Sequence, residues 1–288
     1  MGSLGMKYLI FGINGMAGHM IAKYLMEQGH TVKGFARREC PFCETIIGDA
    51  RKEEKVADIL QAGRYDYVVN CIGILNKAVD RKLSDGIYLN SVFPHVLSEL
   101  LRETSTKLIH ISTDCVFEGT KGQYTEQDVP DAVSYYGKSK ALGEINDEKN
   151  LTIRTSIVGP ELKPDGIGLF HWFMMQSGEI YGYKKVIWSG ITTLQLAKAI
   201  EMDIQYPQTG LYHLVNNQSI SKKDLLLLFL KYCRKGDIII LNNTDYICNK
   251  SLLDTRKSYP FAIPSYEQMV KEMGEWIKAH PIMYRQYL

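Results

Sequence analysis

The chain has 288 residues, with 34 Lys+Arg against 32 Asp+Glu, 45% apolar and 23% charged residues, six Cys and 24 Gly. This ordinary globular composition excludes a disordered, collagen-like or coiled-coil chain, and a formal net charge of +2 gives no reason to expect nucleic acid or a membrane surface as a partner. The longest strongly apolar run, Leu225 to Leu230, is far short of the ~20 residues that cross a bilayer.

Residues 1–5 read as a cloning remnant ahead of Met6, with no basic and then apolar leader, so a cytoplasmic protein is expected. Tyr8 to Phe11 is a buried strand. Ala17, Met20, Ile21, Tyr24 and Leu25 then fall on one face of a helix that ends at Gly29. His30 to Ala36 and Ile46 to Gly48 read as strands, Val56, Ile59 and Leu60 as the inner face of a helix stopped by Gly63, and Tyr67 to Ile72 as a fourth strand. Leu89, Val92, Phe93, Val96, Leu97, Leu100 and Leu101 repeat the helical spacing over four turns. Leu108 to Ile111 and Leu151 to Ile153 supply two further strands. Strands that are apolar throughout and alternate with helices predict a parallel sheet covered on both faces. After Gly159-Pro160 the rhythm loosens, and helices are expected at 192–205, after Ser221 with Asp224, and after Ser265 with Gln268. Residues 6–158 are therefore read as one domain, completed by the helix at about 191–206, and 159–288 as a smaller one built from inserted pieces.

Six Cys are too sparse for a disulfide scaffold. Cys40 and Cys43 lack the second close pair of a four-ligand zinc site and do not open a helix, so they read as loop thiols, and no metal site is expected.

Gly12-Ile13-Asn14-Gly15-Met16-Ala17-Gly18 stands directly between the first strand and the first helix. Glycines there permit a tight turn, close approach of a pyrophosphate and packing of helix on strand, while the helix N-terminus offers free N–H groups. Arg37 and Arg38 follow the second strand where an acid would hold a ribose 2′-OH, which favours NADP, with NAD as the alternative. Tyr136 and Lys140, four residues apart, share one face if that segment is helical, and a nearby ammonium would lower the phenol from its usual ~10.

The runs Ile111-Ser112-Thr113-Asp114-Cys115-Val116-Phe117-Glu118-Gly119, Gly122-x-Tyr124-x-Glu126, Tyr136-Gly137-Lys138-Ser139-Lys140-Ala141-Leu142-Gly143-Glu144 and Ile153-Arg154-Thr155-Ser156 resemble the extended short-chain dehydrogenase/reductase family, in its dTDP-4-dehydrorhamnose reductase branch. The resemblance covers residues 6 to 160 well. It implies a Rossmann-type α/β doubly wound sheet with a smaller α/β C-terminal substrate domain, and NADPH-dependent reduction of a 4-keto-6-deoxy sugar nucleotide. It implies Thr113, Tyr136 and Lys140 as catalytic residues. Gly12, Asn14, Gly15, Met16, Ala17, Gly18, Arg37, Arg38, Asp49, Ala50, Cys71, Ile72, Gly73, Tyr136 and Lys140 would meet the cofactor. Asp114 and Cys115, with Trp172, Trp188 and Arg256 from the second domain, are the candidates for the sugar nucleotide. A homodimer is compatible with this reading.

Two departures concern the substrate side. Cys115 replaces the family's aromatic, and Ser189-Gly190-Ile191-Thr192-Thr193 stands where a Gly-x-Pro-Thr segment is usual. Related dehydratases carry Asp-Glu after the Thr, so Cys115 disfavours dehydration. The regulatory subunit of methionine adenosyltransferase resembles the same branch, so a non-catalytic NADP-binding subunit is one alternative, and a sugar-nucleotide epimerase is another.

Overall fold

Runs of Val, Ile, Leu and Phe that are apolar on both faces are stable only when helices cover both sides of a sheet. In the computed structural model, which describes residues 5–234, 236, 238–256 and 259–288, seven such runs form one parallel sheet. Residues 1–4 of the expected remnant lie outside the described residues. The strands are β1 (Lys7–Phe11), β2 (Thr31–Ala36), β3 (Thr45–Ile47), β4 (Tyr67–Asn70), β5 (Lys107–Thr113), β6 (Leu151–Thr155) and β7 (Gly210–His213). Their spatial order is β7-β6-β5-β4-β1-β2-β3, so the sheet winds outward in both directions from β1. This is the expected Rossmann-type α/β fold, and its crevice lies at the C-terminal ends of the strands, where the winding reverses.

Because side chains alternate along a strand, neighbours divide between two layers. Tyr8 and Ile10 join Met20 and Ile21 of helix α1 (Met16–Glu27) in one core. Leu9 and Phe11 join Phe35, Val68, Phe93 and Leu97 in the other. Helix α2 (Glu53–Gly63) has the expected buried face at Val56 and Leu60.

The expected four-turn helix is longer and interrupted. Leu83–Ile87 and Phe93–Leu101 are α-helical, and Tyr88–Val92 between them is a wider π turn; together they are α3. One extra residue in a turn rotates everything beyond it. Val92 and Leu100, expected inside, are therefore exposed, while Asn90 is fully buried. Strand β4 also stops short of the expected Ile72, because the Ile72 amide donates to Asn70 Oδ1 at 3.1 Å instead of continuing the ladder.

Helix α4 is Tyr135–Leu142, α5 is Thr193–Met202, α6 is Lys222–Cys233 and α7 is Tyr266–Ala279. Ser221 accepts from the Asp224 amide at 3.0 Å and Ser265 from the Gln268 amide at 3.3 Å, as their spacing predicts. Beyond the large sheet, Gly178–Tyr183 pairs in parallel with Ile238–Asn243. Val186–Trp188 lies between Ile220–Ser221 and Cys248–Asn249. Among the described residues, no helix is long and apolar enough to cross a membrane.

Candidate active site

The glycine turn is shaped by contacts that exclude side chains. Gly12 has φ +80°, a left-handed conformation in which L side chains are strained. A Cβ on Gly18 would overlap the Gly12 carbonyl oxygen and stand 2.9 Å from its carbon. The Gly15 amide closes the turn on Gly12 O at 2.9 Å, and Gly15 caps α1 with no side chain over the helix end. Met16 and Ala17 therefore open the helix with their backbone facing the crevice, an arrangement suited to a phosphate. Asn14 braces the neighbouring loop through Nδ2, which donates to Arg38 O at 2.8 Å. Arg37 and Arg38 are exposed. Asp49 is bound to Arg51 at 2.6 Å, which holds its carboxyl down at about 2. Ala50 is buried, and Cys71, Ile72 and Gly73 leave β4 on the same edge.

The second half of the site is built where β5 meets α4. Thr113 ends β5, and its hydroxyl accepts from the Cys115 amide and donates to Asp114 Oδ1, both at 3.1 Å. The Tyr136 phenol lies within its reach. Ser134 starts α4 by accepting from the Gly137 amide at 3.1 Å, so Tyr136 and Lys140 share the inward face. A buried network fixes that face. Glu144 accepts from Ser112 at 2.6 Å and from Arg154 Nε at 2.8 Å, and Arg154 Nη1 stands 3.0 Å from His213 Nε2. From α3, Asn90 donates to Ser139 Oγ at 3.0 Å.

One electrostatic expectation is overturned. Burial pushes the Tyr136 phenol above its ordinary value rather than below it. Cys115 and Asp114 beside it act in the same direction, while the Lys140 Nζ turns into the sheet and donates to Ile111 O at 2.7 Å. Lys140 is 3% exposed, and burial draws its ammonium down to about 8. Burial likewise raises the Cys115 thiol to about 12.

The expected substrate residues of the second domain do not gather here. Arg256 donates to Thr209 O at 2.6 Å and Leu211 O at 2.8 Å, at the start of β7 and hence at the opposite end of the sheet from Thr113. It ties down the start of β7. Trp188 is 2% exposed, packed on Tyr266 and covered by Lys222 Nζ 5.6 Å above its ring, so it is a core residue, lying under a lysine that is within electrostatic reach of Asp114 and Cys115. Trp172 is exposed, on the short helix Leu169–Met174, whose leading Gly168 lies against Met16.

Cys40 and Cys43 are reduced and buried, bridged through their backbones. They lie in the connection between β2 and β3, as expected of loop thiols, and their side chains are packed into the core. Among the described residues, no three His, Cys, Asp or Glu side chains are grouped to hold a metal. Asn70, Asn90 and His110 were not singled out from sequence. Their one visible signal is a polar residue inside an otherwise apolar strand or helix face.

The model of the family described as RmlD substrate binding domain matches residues 6–238. The dTDP-4-dehydrorhamnose reductase of Burkholderia thailandensis is 35% identical over 161 residues, 53% of this chain and 50% of that protein, so the match spans half of that relative's length. The enzyme of the same name from Salmonella typhimurium is 27% identical over 249 residues, 82% of this chain and 81% of the relative. Among solved structures, the dTDP-4-dehydrorhamnose reductase of Bacillus anthracis in complex with NADP superposes with a TM-score of 0.79 at 19% identity, over 96% of this chain and 100% of the other, a likeness of fold.

Proposed function

This chain belongs to the RmlD substrate-binding-domain family, and on that premise we propose that it is an NADPH-dependent reductase of a nucleotide-linked 4-keto-6-deoxy sugar. The observation that carries the reading is the convergence of Thr113, Tyr136 and Lys140 at the C-terminal end of β5, on the edge onto which the glycine turn opens. In this reading residues 6–158, with α5, form the cofactor half, and 159–288 bind the sugar nucleotide.

The residues present fit a dinucleotide. Gly12 to Gly18 leave room for a pyrophosphate that a Cβ at Gly18 would deny, and the uncapped start of α1 offers it donors. Arg37 and Arg38, both exposed, would pair with a 2′-phosphate. Asp49 and Ala50 would border the adenine, the backbone of Cys71, Ile72 and Gly73 would line the path to the nicotinamide, and Lys140 would hold the ribose. When bound, NADPH supplies the hydride.

The protein's own part is to polarise and protonate. The Thr113 hydroxyl and the Tyr136 phenol are neighbours; if Thr113 turns its single proton from Asp114 Oδ1 to a substrate carbonyl oxygen, that oxygen accepts from both, and charge developing on it is stabilised by both. Tyr136 then gives its phenolic proton to the oxygen. Burial keeps the phenol protonated at neutral pH, which suits a proton donor in the direction of reduction. Asp114 and Cys115 stand beside Thr113 as the first groups the sugar would meet, and Trp172 is available to its nucleotide half.

The test is NADPH oxidation with a panel of dTDP- and UDP-linked 4-keto-6-deoxyhexoses. Turnover that yields the 4-hydroxy sugar supports the reading. Tight NADPH binding with no turnover across the panel would replace it with a non-catalytic cofactor-binding subunit.

A further inference from the structure

Behind Lys140 runs a chain of polar contacts that the reading above does not use. Strands β4 and β5 pair so that Asn70 stands opposite His110, and both side chains are fully buried. The Ile72 amide donates to Asn70 Oδ1 at 3.1 Å, Asn70 Nδ2 lies 3.2 Å from His110 Nδ1, and His110 Nε2 lies 3.3 Å from Lys140 Nζ.

The donor inventory orders this chain in one direction. A backbone amide can only donate, so Asn70 must turn Oδ1 toward Ile72 and its NH₂ toward His110. The NH₂ can only donate, so His110 Nδ1 must accept. A neutral imidazole that accepts at Nδ1 carries its proton on Nε2, and that proton points at Lys140. A neutral amine can accept it, whereas an ammonium cannot. Protonating Lys140 therefore forces two donors against each other at one of the three links, in a buried place where such a mismatch is costly.

We propose that Asn70 and His110 are positioning residues that favour the neutral amine of Lys140 and couple its protonation to the backbone at Ile72. The other groups facing Lys140 do not take over this part. Ile111 O accepts from Nζ in either charge state, and Glu144, beyond the C-terminal end of α4, attracts the ammonium but spends its oxygens on Arg154 and Ser112. The Cys71 thiol beyond β4 is raised to about 12 by burial and stays neutral. His110 faces Lys140 and, from α3, His95, and burial with both neighbours holds it uncharged. The consequence for catalysis rests on the function proposed above, because Ile72 lies on the stretch assigned to the cofactor. The protonation pattern itself does not.

The experiment is NMR on the cofactor-free protein, with ¹⁵N-labelled histidine and ¹³C-labelled lysine, from pH 6 to 9. The expected result is His110 as the neutral Nε2–H tautomer throughout and Lys140 titrating below the surface lysines. Asn70→Asp keeps an acceptor for Ile72 but offers a second one to His110. It should switch the ring to Nδ1–H and raise the Lys140 midpoint by about one unit or more. His110→Gln, which can present a carbonyl oxygen to an ammonium, should raise it similarly. An imidazolium or Nδ1–H ring in the wild type, or a Lys140 midpoint unmoved in both variants, would overturn the proposal. Should either variant fail to fold, the wild-type tautomer still decides it. Failure of the wild type to bind NADPH in a parallel titration would strike the functional reading instead and leave the tautomer result standing.

Discussion

The two ends of the large sheet are made of similar residues and differ in how completely those residues are satisfied. At the N-terminal end, Lys107 is paired with the buried Asp203 at 2.6 Å, and the other Asp203 oxygen accepts from the Gln208 amide at 2.8 Å. Asn150 bonds the Leu108 amide, Ser98 and Asp147, and Arg256 is spent on two carbonyls. At the C-terminal end, among the described residues, the Tyr136 phenol and the start of α1 keep donors without a protein acceptor, Thr113 spends its proton only on the neighbouring Asp114, and Arg37 and Arg38 form no ion pair. The closed end contributes stability, and the open end contributes chemistry. Changes at one end should therefore register in turnover and changes at the other in unfolding.

The largest effect is expected at the open end. Tyr136→Phe removes one hydroxyl and no packing, so turnover should fall by roughly 10²–10⁴ with the thermal midpoint and NADPH affinity preserved. Wild-type turnover in this variant would break the comparison at its most important residue. The mirror experiment is Asp203→Ala, which strands Lys107 in a mostly buried position. A loss of about 3–5 kcal/mol is expected in urea unfolding, with kcat within about twofold of wild type.

One fully buried group at the open end departs from this division and contributes to stability, which acid should reveal. Under the glycine turn, His19 is fully buried between Gly15 O at 2.8 Å and the Tyr284 hydroxyl at 3.0 Å, and burial lowers it from 6.5 to about 4. The unfolded chain then binds a proton that the folded one refuses. Stability is fully present above pH 6.5 and is lost as pH falls toward 4, by about 3 kcal/mol for this group. Urea unfolding at pH 7 and pH 4.5 measures the loss, and His19→Gln should flatten it. The smallest effect concerns cofactor choice. Alanine at Arg37 and Arg38 together should weaken NADPH by roughly 1.5–3 kcal/mol and leave NADH nearly unchanged in a fluorescence titration. Equal losses for both cofactors would remove the 2′-phosphate assignment.

The parts legible in the sequence were those set by local periodicity. Apolar runs against helical spacing gave the strands and α1 and α2, and four residues between Tyr136 and Lys140 put them on one face. What was not legible depends on register or on burial. The π turn at Tyr88–Val92 leaves no mark, because the apolar spacing through it is that of an uninterrupted helix, and it decides that Asn90 and not Val92 faces inward. Asn70 and His110 sit in separate apolar strands and become partners only when β4 and β5 pair in register. The burial of Tyr136, which reversed the expected effect on its phenol, and the direction of Lys140 into Ile111 O are likewise products of packing. Arg256 shows the same limit at long range. Its charge suggested a ligand, and only the return path of the chain beyond β7 reveals that it caps the closed end of the sheet.

The central claim is that the open end reduces a sugar carbonyl with a hydride from NADPH. Supplying NADPH with both C4 hydrogens replaced by deuterium, together with a nucleotide-linked 4-keto-6-deoxyhexose, and locating the label by NMR decides this. One deuterium is expected at C4 of the product sugar, with one NADPH consumed per 4-hydroxy sugar formed. Product that carries no deuterium, or bound NADPH that is never consumed, would contradict it.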